Sequence, residues 1–336
     1  MKNIDNHVYF WQEASWAQLT GAWGQNRMPH GLLLAGPAGL GKPQFARRLA
    51  EFVMCQDPKP SQRPCGDCKG CSLMTGGSHP DFRWVSVPED RKTIGIDQAR
   101  DIVDWMRMTC FQSGYKVVVF DDADMVTVEA ANSLLKTLEE PAGASLLMLI
   151  SKRPDALLAT IRSRCQLVKF CRPEREAALR WLKTQDDGVA WPRLLFLANG
   201  APLRALAMHR DGFAETDRRF SADLSAIISG SKDPVIVSLE WQKYPHAVWL
   251  EWLQTVVLGL IRARAAEPVK SQECEPVHLI PNAVNINLGR LYGYLDDLVA
   301  ARQRSERGAL RTDLMTAAIL IPWACGLKYR PIYQDY

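Results

Sequence analysis

The chain has no apolar run of the roughly 18 to 20 residues that a bilayer-spanning helix needs, so no membrane span is expected. Its polar start, MKNIDNH, lacks the apolar core of a secretory signal, and a cytoplasmic protein is expected. Net charge is scarce as well: 41 Lys and Arg against 37 Asp and Glu leave +4. That excludes coating nucleic acid by charge alone, although a local basic patch remains compatible. There is no internal repeat and no low-complexity tract. Nine cysteines, an odd number with four clustered, argue against a secreted disulfide framework and for a reducing compartment with a metal site. What is present is ordinary: 336 residues, 47% apolar and 23% charged, enough for two or three globular domains.

A second kind of absence is local. Residues 36–42 read GPAGLGK after the apolar run Leu32-Leu33-Leu34. Such a loop uses glycines, here Gly36, Gly39 and Gly41, so that backbone N–H groups can cradle phosphates. A lysine, here Lys42, reaches the outer phosphates, and a following Ser or Thr holds magnesium. The hydroxyl is missing, because the next residue is Pro43. Proline suits a first helical position, whose N–H has no intrahelical partner, so the loop-to-helix geometry survives where the metal chemistry fails. The bland alternative is that the glycines only shape a tight strand-to-helix turn.

Short apolar runs at 31–35, 82–87, 117–120 and 146–150 alternate with helical patterns at 45–54, 97–108 and 130–138. This predicts an α/β core with a mainly parallel sheet and helices on both faces. The helix over 129–140 is well marked, with Leu134, Leu135 and Leu138 on one face and Pro141 as its stop. Beyond Phe170 the pattern turns all-α: 174–183, 192–197 and 203–208 suggest a small helical subdomain, and a second helical block starts near Asp211. In that block Trp241, Trp249, Trp252, Leu253, Val257, Leu260 and Ile261 recur at helical spacing, as packed core or subunit interface rather than a base-stacking platform. Residues 265–287, rich in Pro, Glu and Asn, read as an interhelical loop.

Cys65, Cys68 and Cys71 form a C-x-x-C-x-x-C run, preceded by Cys55 at the end of the helix after the phosphate-type loop. Two-residue gaps let neighbouring thiolates converge on one ion, and four thiolates fill a closed tetrahedral zinc shell of structural type. Lys59, Arg63 and Lys69 would offset the charge. An iron–sulfur cluster and free or redox thiols are the alternatives, and the C-x-x-x-C-P continuation of a ferredoxin run is absent. His79 reads as a loop residue, and Cys110, Cys165, Cys171, Cys274 and Cys325 as small apolar residues.

Val117 to Phe120 followed by Asp121-Asp122-Ala123-Asp124 is a buried strand that delivers carboxylates to a sheet edge. In nucleotide motors the first acid holds magnesium and the second, a glutamate, polarises water. Here the second is Asp122, one methylene short, and a misplacement of about 1 Å costs on the order of a hundredfold in rate. The alternative is that these acids cap the turn into the next helix.

Together, RMPHGLLLAGPAGLGK, the cysteine insert with HPDF after it, SLLKTLEEP at 133–141 and Ser163-Arg164-Cys165 strongly resemble the clamp-loader AAA+ ATPases of bacterial DNA polymerase III. The likeness covers the first 210 or so residues; the rest matches in length and helical character. It implies an AAA+ core over 1–170 with a zinc insert at 55–71, a helical lid over 171–211 and a helical collar over 212–336 that joins subunits. By resemblance Arg164 is an arginine finger acting in a neighbour's nucleotide site, and Ser151 and Arg204 stand at the two sensor positions. Gly36, Gly39, Gly41, Lys42, Asp121, Asp122, Ser151 and Arg204 then make a degenerate site, with ATP and magnesium doubtful as cofactors in this chain.

The implied partners are the loader's ATPase subunits and its delta subunit, with the sliding clamp and primed DNA reached through the complex. The expected role is a largely non-hydrolysing support. Its rivals are an active ATPase subunit of the same assembly, and a zinc-stabilised DNA-binding module gripping phosphates with Arg162, Arg164, Lys169 and Arg172. A polymerase activity in the chain itself is not expected.

Overall fold

A computed structural model describes residues 8–112, 114–265, 286–306 and 312–327. The chain divides into two compact units, Met1–Glu174 and Arg175–Tyr336.

In the first unit a 3-10 turn, Phe10–Gln12, leads into α1 (Glu13–Gly24). Then follow β1 (Gly31–Ala35), α2 (Lys42–Met54), α3 (Lys69–Thr75), β2 (Phe82–Val85), α4 (Ile96–Arg107), β3 (Lys116–Phe120), α5 (Val128–Glu139), β4 (Ser145–Ser151), α6 (Ala159–Arg162) and β5 (Gln166–Lys169). The five strands are all parallel, in the order β2-β3-β4-β1-β5. Every residue of β1, β3 and β4 is buried, as expected where helices cover both faces of a parallel sheet and the strands become continuous apolar runs. The Thr127 hydroxyl caps α5 by accepting from the Ala130 N–H. Leu134 and Leu138 of α5 are buried, Leu135 packs against the same cluster, and the helix ends before Pro141.

Three features depart from the sequence reading. β5 was not anticipated: at the sheet edge only Val168 of its four residues is buried, so no apolar run marks it. Nor was α1, in which Leu19 alone is fully buried and the helix is attached through aromatic edges, Trp16 onto Phe45 and Phe52 and Trp23 onto Phe52. Pro43 occupies the second position of α2, not the first. This is equally free of cost, since the first four N–H groups of a helix all lack an intrahelical partner.

The second unit is helical throughout its described residues: α7 (Arg175–Gln185), α8 (Trp191–Leu197), α9 (Pro202–Arg210), α10 (Phe213–Ile228), α11 (Pro234–Trp241), α12 (His246–Ala265), α13 (Leu288–Glu306) and α14 (Thr312–Ala324). α7, α8 and α9 share a small core around Leu182, Trp191 and Leu206. The longer helices pack on a larger one that contains Phe220, Trp241, Trp249, Trp252, Tyr294 and Trp323. The tryptophans of α11 and α12 are core residues, and two polar edges are satisfied: Trp241 Nε1 donates to Asp223 and Trp252 Nε1 to Asp217. The loop expected at 265–287, with Cys274, lies outside the described residues except for its ends.

Candidate nucleotide-type pocket and thiol centre

Strand order places the C-terminal ends of β3, β4 and β1 side by side, with Ala35 beside Ser151 and Phe120 beside Leu149. Loops leaving that edge of a parallel sheet are where such folds bind ligands. The loop after β1 starts at Gly36, whose φ of +150° and lack of a side chain are both required: a Cβ there would meet the Phe170 carbonyl oxygen at 2.3 Å. Gly39 and Gly41 have φ of +76° and +79°. The N-terminal turn braces the loop, since Gln12 Nε2 donates to the carbonyls of Leu40 (2.7 Å) and Gly41 (3.1 Å) and Trp11 Nε1 to that of Leu40 (3.0 Å). Lys42 is 2% exposed and turns back into the loop, where Nζ donates to the carbonyls of Gly36 (2.6 Å) and Pro37 (2.7 Å). Burial first, and then the nearby Lys152 ammonium, bring its pKa down to about 8, against the opposing pull of Asp124, Asp122 and Asp121.

Two of the acids after β3, Asp122 and Asp124, have partners within the chain. Burial and then the neighbouring Asp122 push the Asp121 carboxyl up, against the opposing pull of Lys152. Asp122 adopts a left-handed conformation (φ 56°, ψ 55°) and pairs with Lys152, Nζ to Oδ1 at 2.6 Å. Asp124 accepts from the Ser151 hydroxyl at 2.6 Å and from the Lys152 and Arg153 N–H groups at 2.7 and 3.3 Å.

The structure thus brings Gly36, Gly39, Gly41, Lys42, Asp121, Asp122 and Ser151 to one sheet edge. Arg204 belongs to the second unit, where it forms a two-pronged pair with Glu251 of α12, at 2.7 and 2.5 Å. Sequence reasoning passed over Lys152, and Asp124 as a partner of Ser151. Their only signal is position, just beyond the ends of β4 and β3.

Arg164 follows α6, between the exposed Ser163 and the buried Cys165. Its Nε donates to Glu139 Oε1 at 2.6 Å, at the end of α5, and its Nη1 to the Thr160 carbonyl at 3.0 Å. The side chain stays about a third exposed. Among the other basic residues suggested for phosphate contacts, Arg162 pairs with Asp155 at 3.0 Å.

Cys55, Cys65, Cys68 and Cys71 form one cluster, with all four sulfurs within 4.8 Å of one another. Cys55 lies 3.6 Å from Cys65 and 3.9 Å from Cys68, and Cys65 lies 4.0 Å from Cys71. A tetrahedron with Zn–S bonds of about 2.3 Å has edges of about 3.8 Å, so the donor set fits such an ion. Backbone amides point at the sulfurs: those of Asp57 and Cys65 at Cys55, and those of Gln56 and Cys71 at Cys68, each at 3.4 Å. Burial raises the Cys55 and Cys71 thiols. At Cys68 burial is again the largest cause, but the Gln56 and Cys71 amides and the Cys71 and Cys65 thiols together outweigh it and bring the thiol down to about 6.

α3 reaches this position because Gly70 packs against the end of α2, where a Cβ would sit 2.3 Å from the Met54 carbonyl oxygen. Arg47 of α2, paired with Glu51 at 3.1 Å, also holds the Met74 carbonyl of α3. His79 is outside the cluster. It is buried in the turn before β2, where its Nδ1 accepts from the Asp81 N–H.

The family model described as DNA polymerase III, delta subunit, matches residues 11–174. DNA polymerase III subunit delta' of Pseudomonas aeruginosa is 32% identical over 323 residues, covering 94% of this chain and 97% of that protein. The Escherichia coli protein of the same name is 29% identical over 320 residues, covering 93% and 94%. That of Yersinia pestis is 36% identical over 267 residues, covering 76% of each.

Proposed function

Because the chain belongs to the DNA polymerase III delta-prime family, we propose that it is a clamp-loader subunit that supports ATP chemistry next door more than its own. The observation that carries this reading is the contrast between Arg164 and the pocket. Arg164 stands at the surface on a short helix end, held by a single carboxylate, Glu139, that is itself about half exposed. Exposed pairs of this kind are worth about 0–1 kcal/mol, so a phosphate presented by a neighbouring subunit can displace Glu139 at small cost. An arginine supplied in trans stabilises charge on a transferring phosphoryl group and is worth about 10³ to 10⁵ in rate. Within the chain's own pocket, Pro43 removes the metal-holding hydroxyl and Asp122 replaces the water-polarising glutamate.

In this reading the partners are the loader's ATPase subunits and delta subunit, the complex acts on the sliding clamp and primed DNA, and the setting is the cytoplasm. No described helix is long and apolar enough to cross a membrane, which agrees with that setting. The metal at the thiol cluster is zinc in a structural role, on the strength of the four-sulfur set and its spacing.

The test is Arg164→Ala in the reconstituted complex. Expected is a loss of at least tenfold in DNA-stimulated ATP turnover and in clamp loading, with assembly intact by gel filtration. Unchanged turnover in an intact complex would refute the finger assignment.

A further inference from the structure

The pocket has the outline of a magnesium–nucleotide site, but its residues do not fit magnesium. The position after Lys42 carries no hydroxyl, only Pro43. The carboxylates at this sheet edge do not converge as a three-donor set among the described residues, and two of them already have partners in the chain: Asp122 pairs with Lys152 Nζ at 2.6 Å, and Asp124 accepts from the Ser151 hydroxyl and the Lys152 N–H. Magnesium needs a near-octahedral oxygen shell and gives up its waters reluctantly, so it competes poorly with hydrogen bonds that are already made.

We propose that Lys152 is a tethered replacement for the divalent cation: its ammonium sits against Asp122 at the end of β4 and closes the carboxylate set to magnesium. The inference rests on the pocket reading above but not on Arg164. The placement follows from the fold. β4 lies between β3, which carries the acids, and β1, which carries the loop, so the first residue beyond Ser151 enters the gap between carboxylates and loop. Lys152 bears electrostatically on Asp121 and on Lys42 as well as on Asp122. A lysine supplies one positive charge where magnesium supplies two, and it has no exchangeable ligand position at which a phosphate oxygen or an attacking water could bind. The pocket's poor fit to the metal therefore has a third determinant besides Pro43 and Asp122, an ammonium that competes with the ion for Asp122.

Two separable outcomes follow. Restoring the hydroxyl alone, Pro43→Thr, leaves the pocket closed to the metal, whereas removing the ammonium opens it. The zinc-loaded full-length chain is titrated with Mn²⁺, followed by electron paramagnetic resonance of the free ion, for the parent, Pro43→Thr, Lys152→Ala and Lys152→Ala/Asp122→Asn. Expected is no saturable Mn²⁺ site below about 1 mM in the parent or in Pro43→Thr. Lys152→Ala gains a site at least tenfold tighter, and Asp122→Asn abolishes that gain. Lys152 is half exposed, so Lys152→Ala is expected to fold, with Lys152→Gln as the second variant if its melting curve is altered. A parent that binds Mn²⁺ in the micromolar range at these acids, or Lys152 variants that fold and gain nothing, would overturn the proposal. Either result leaves the Arg164 experiment untouched.

Discussion

The first unit carries a cluster of four thiols and a row of carboxylates at the end of its sheet, and among the described residues only the thiols converge as a metal-type donor set. Four thiols stand at the spacing of a tetrahedral shell, and their hydrogen-bond partners are backbone amides and one another. Three carboxylates stand at the end of the sheet, and their partners include an ammonium and a hydroxyl from the chain itself. No lysine or arginine among the described residues donates to the sulfurs, whereas among the carboxylates an ammonium, Lys152, already stands against Asp122. The convergence of the donors separates the two sites, and so does the counter-charge that the chain itself provides.

The sharpest way to break this comparison is to remove the metal from the thiols. Structural zinc sites couple ion binding to folding, so Cys68→Ser is expected to lose the ion and to lower the melting temperature of the first unit by about 10 °C or more. Zinc content and a melting curve measure both, and unchanged values would mean that the cysteines are not a four-ligand set.

A smaller effect tests the pocket. The Lys42 pKa is lowered from 10.5 to about 8 by burial, so between those values the unfolded chain holds more protons than the folded one. Stability should therefore rise with pH across that window, with the full deficit present below about pH 8, by on the order of 3 kcal/mol. Urea melts from pH 7.5 to 10.5 should show this climb in the parent and not in Lys42→Met; parallel slopes would mean that Lys42 is not buried as described. Smaller again, Gly36→Ala should cost roughly 2 kcal/mol through strain at its positive φ and the approach of Phe170, and the cost should be the same with and without added nucleotide and magnesium. A cost that appears only with ligand would make the loop a working cradle rather than architecture.

The core was legible wherever burial is two-sided. Val117 to Phe120 and Leu146 to Ile150 are continuous apolar runs because helices cover both faces, and α5 declares itself by its leucine stripe and Pro141. β5 was not, because as an edge strand with three of four residues exposed it carries no pattern. α1 was not, because its packing runs through the edges of Trp16 and Trp23, which leaves no regular apolar face. In the pocket, the loop glycines and Lys42 were readable as a local motif. Lys152 was not, since a lysine after a strand is unremarkable until the strand order places it beside Asp122. The thiol cluster was fully legible, because its ligands lie close in sequence and their spacing alone brings them together.

The same cluster bears on how the sheet is completed. β2, an edge strand, is reached from α2 by a long connection, and an ion joining Cys55 to Cys71 would shorten the free tether to little more than a third, which in loop-closure entropy is worth only about 0.9 kcal/mol. The larger consequence is directional. With Gly70 pressed onto the Met54 carbonyl, the chain leaves α2 along a fixed heading, so the last strand on that side arrives at its register with Val117 to Phe120 already aimed rather than by search.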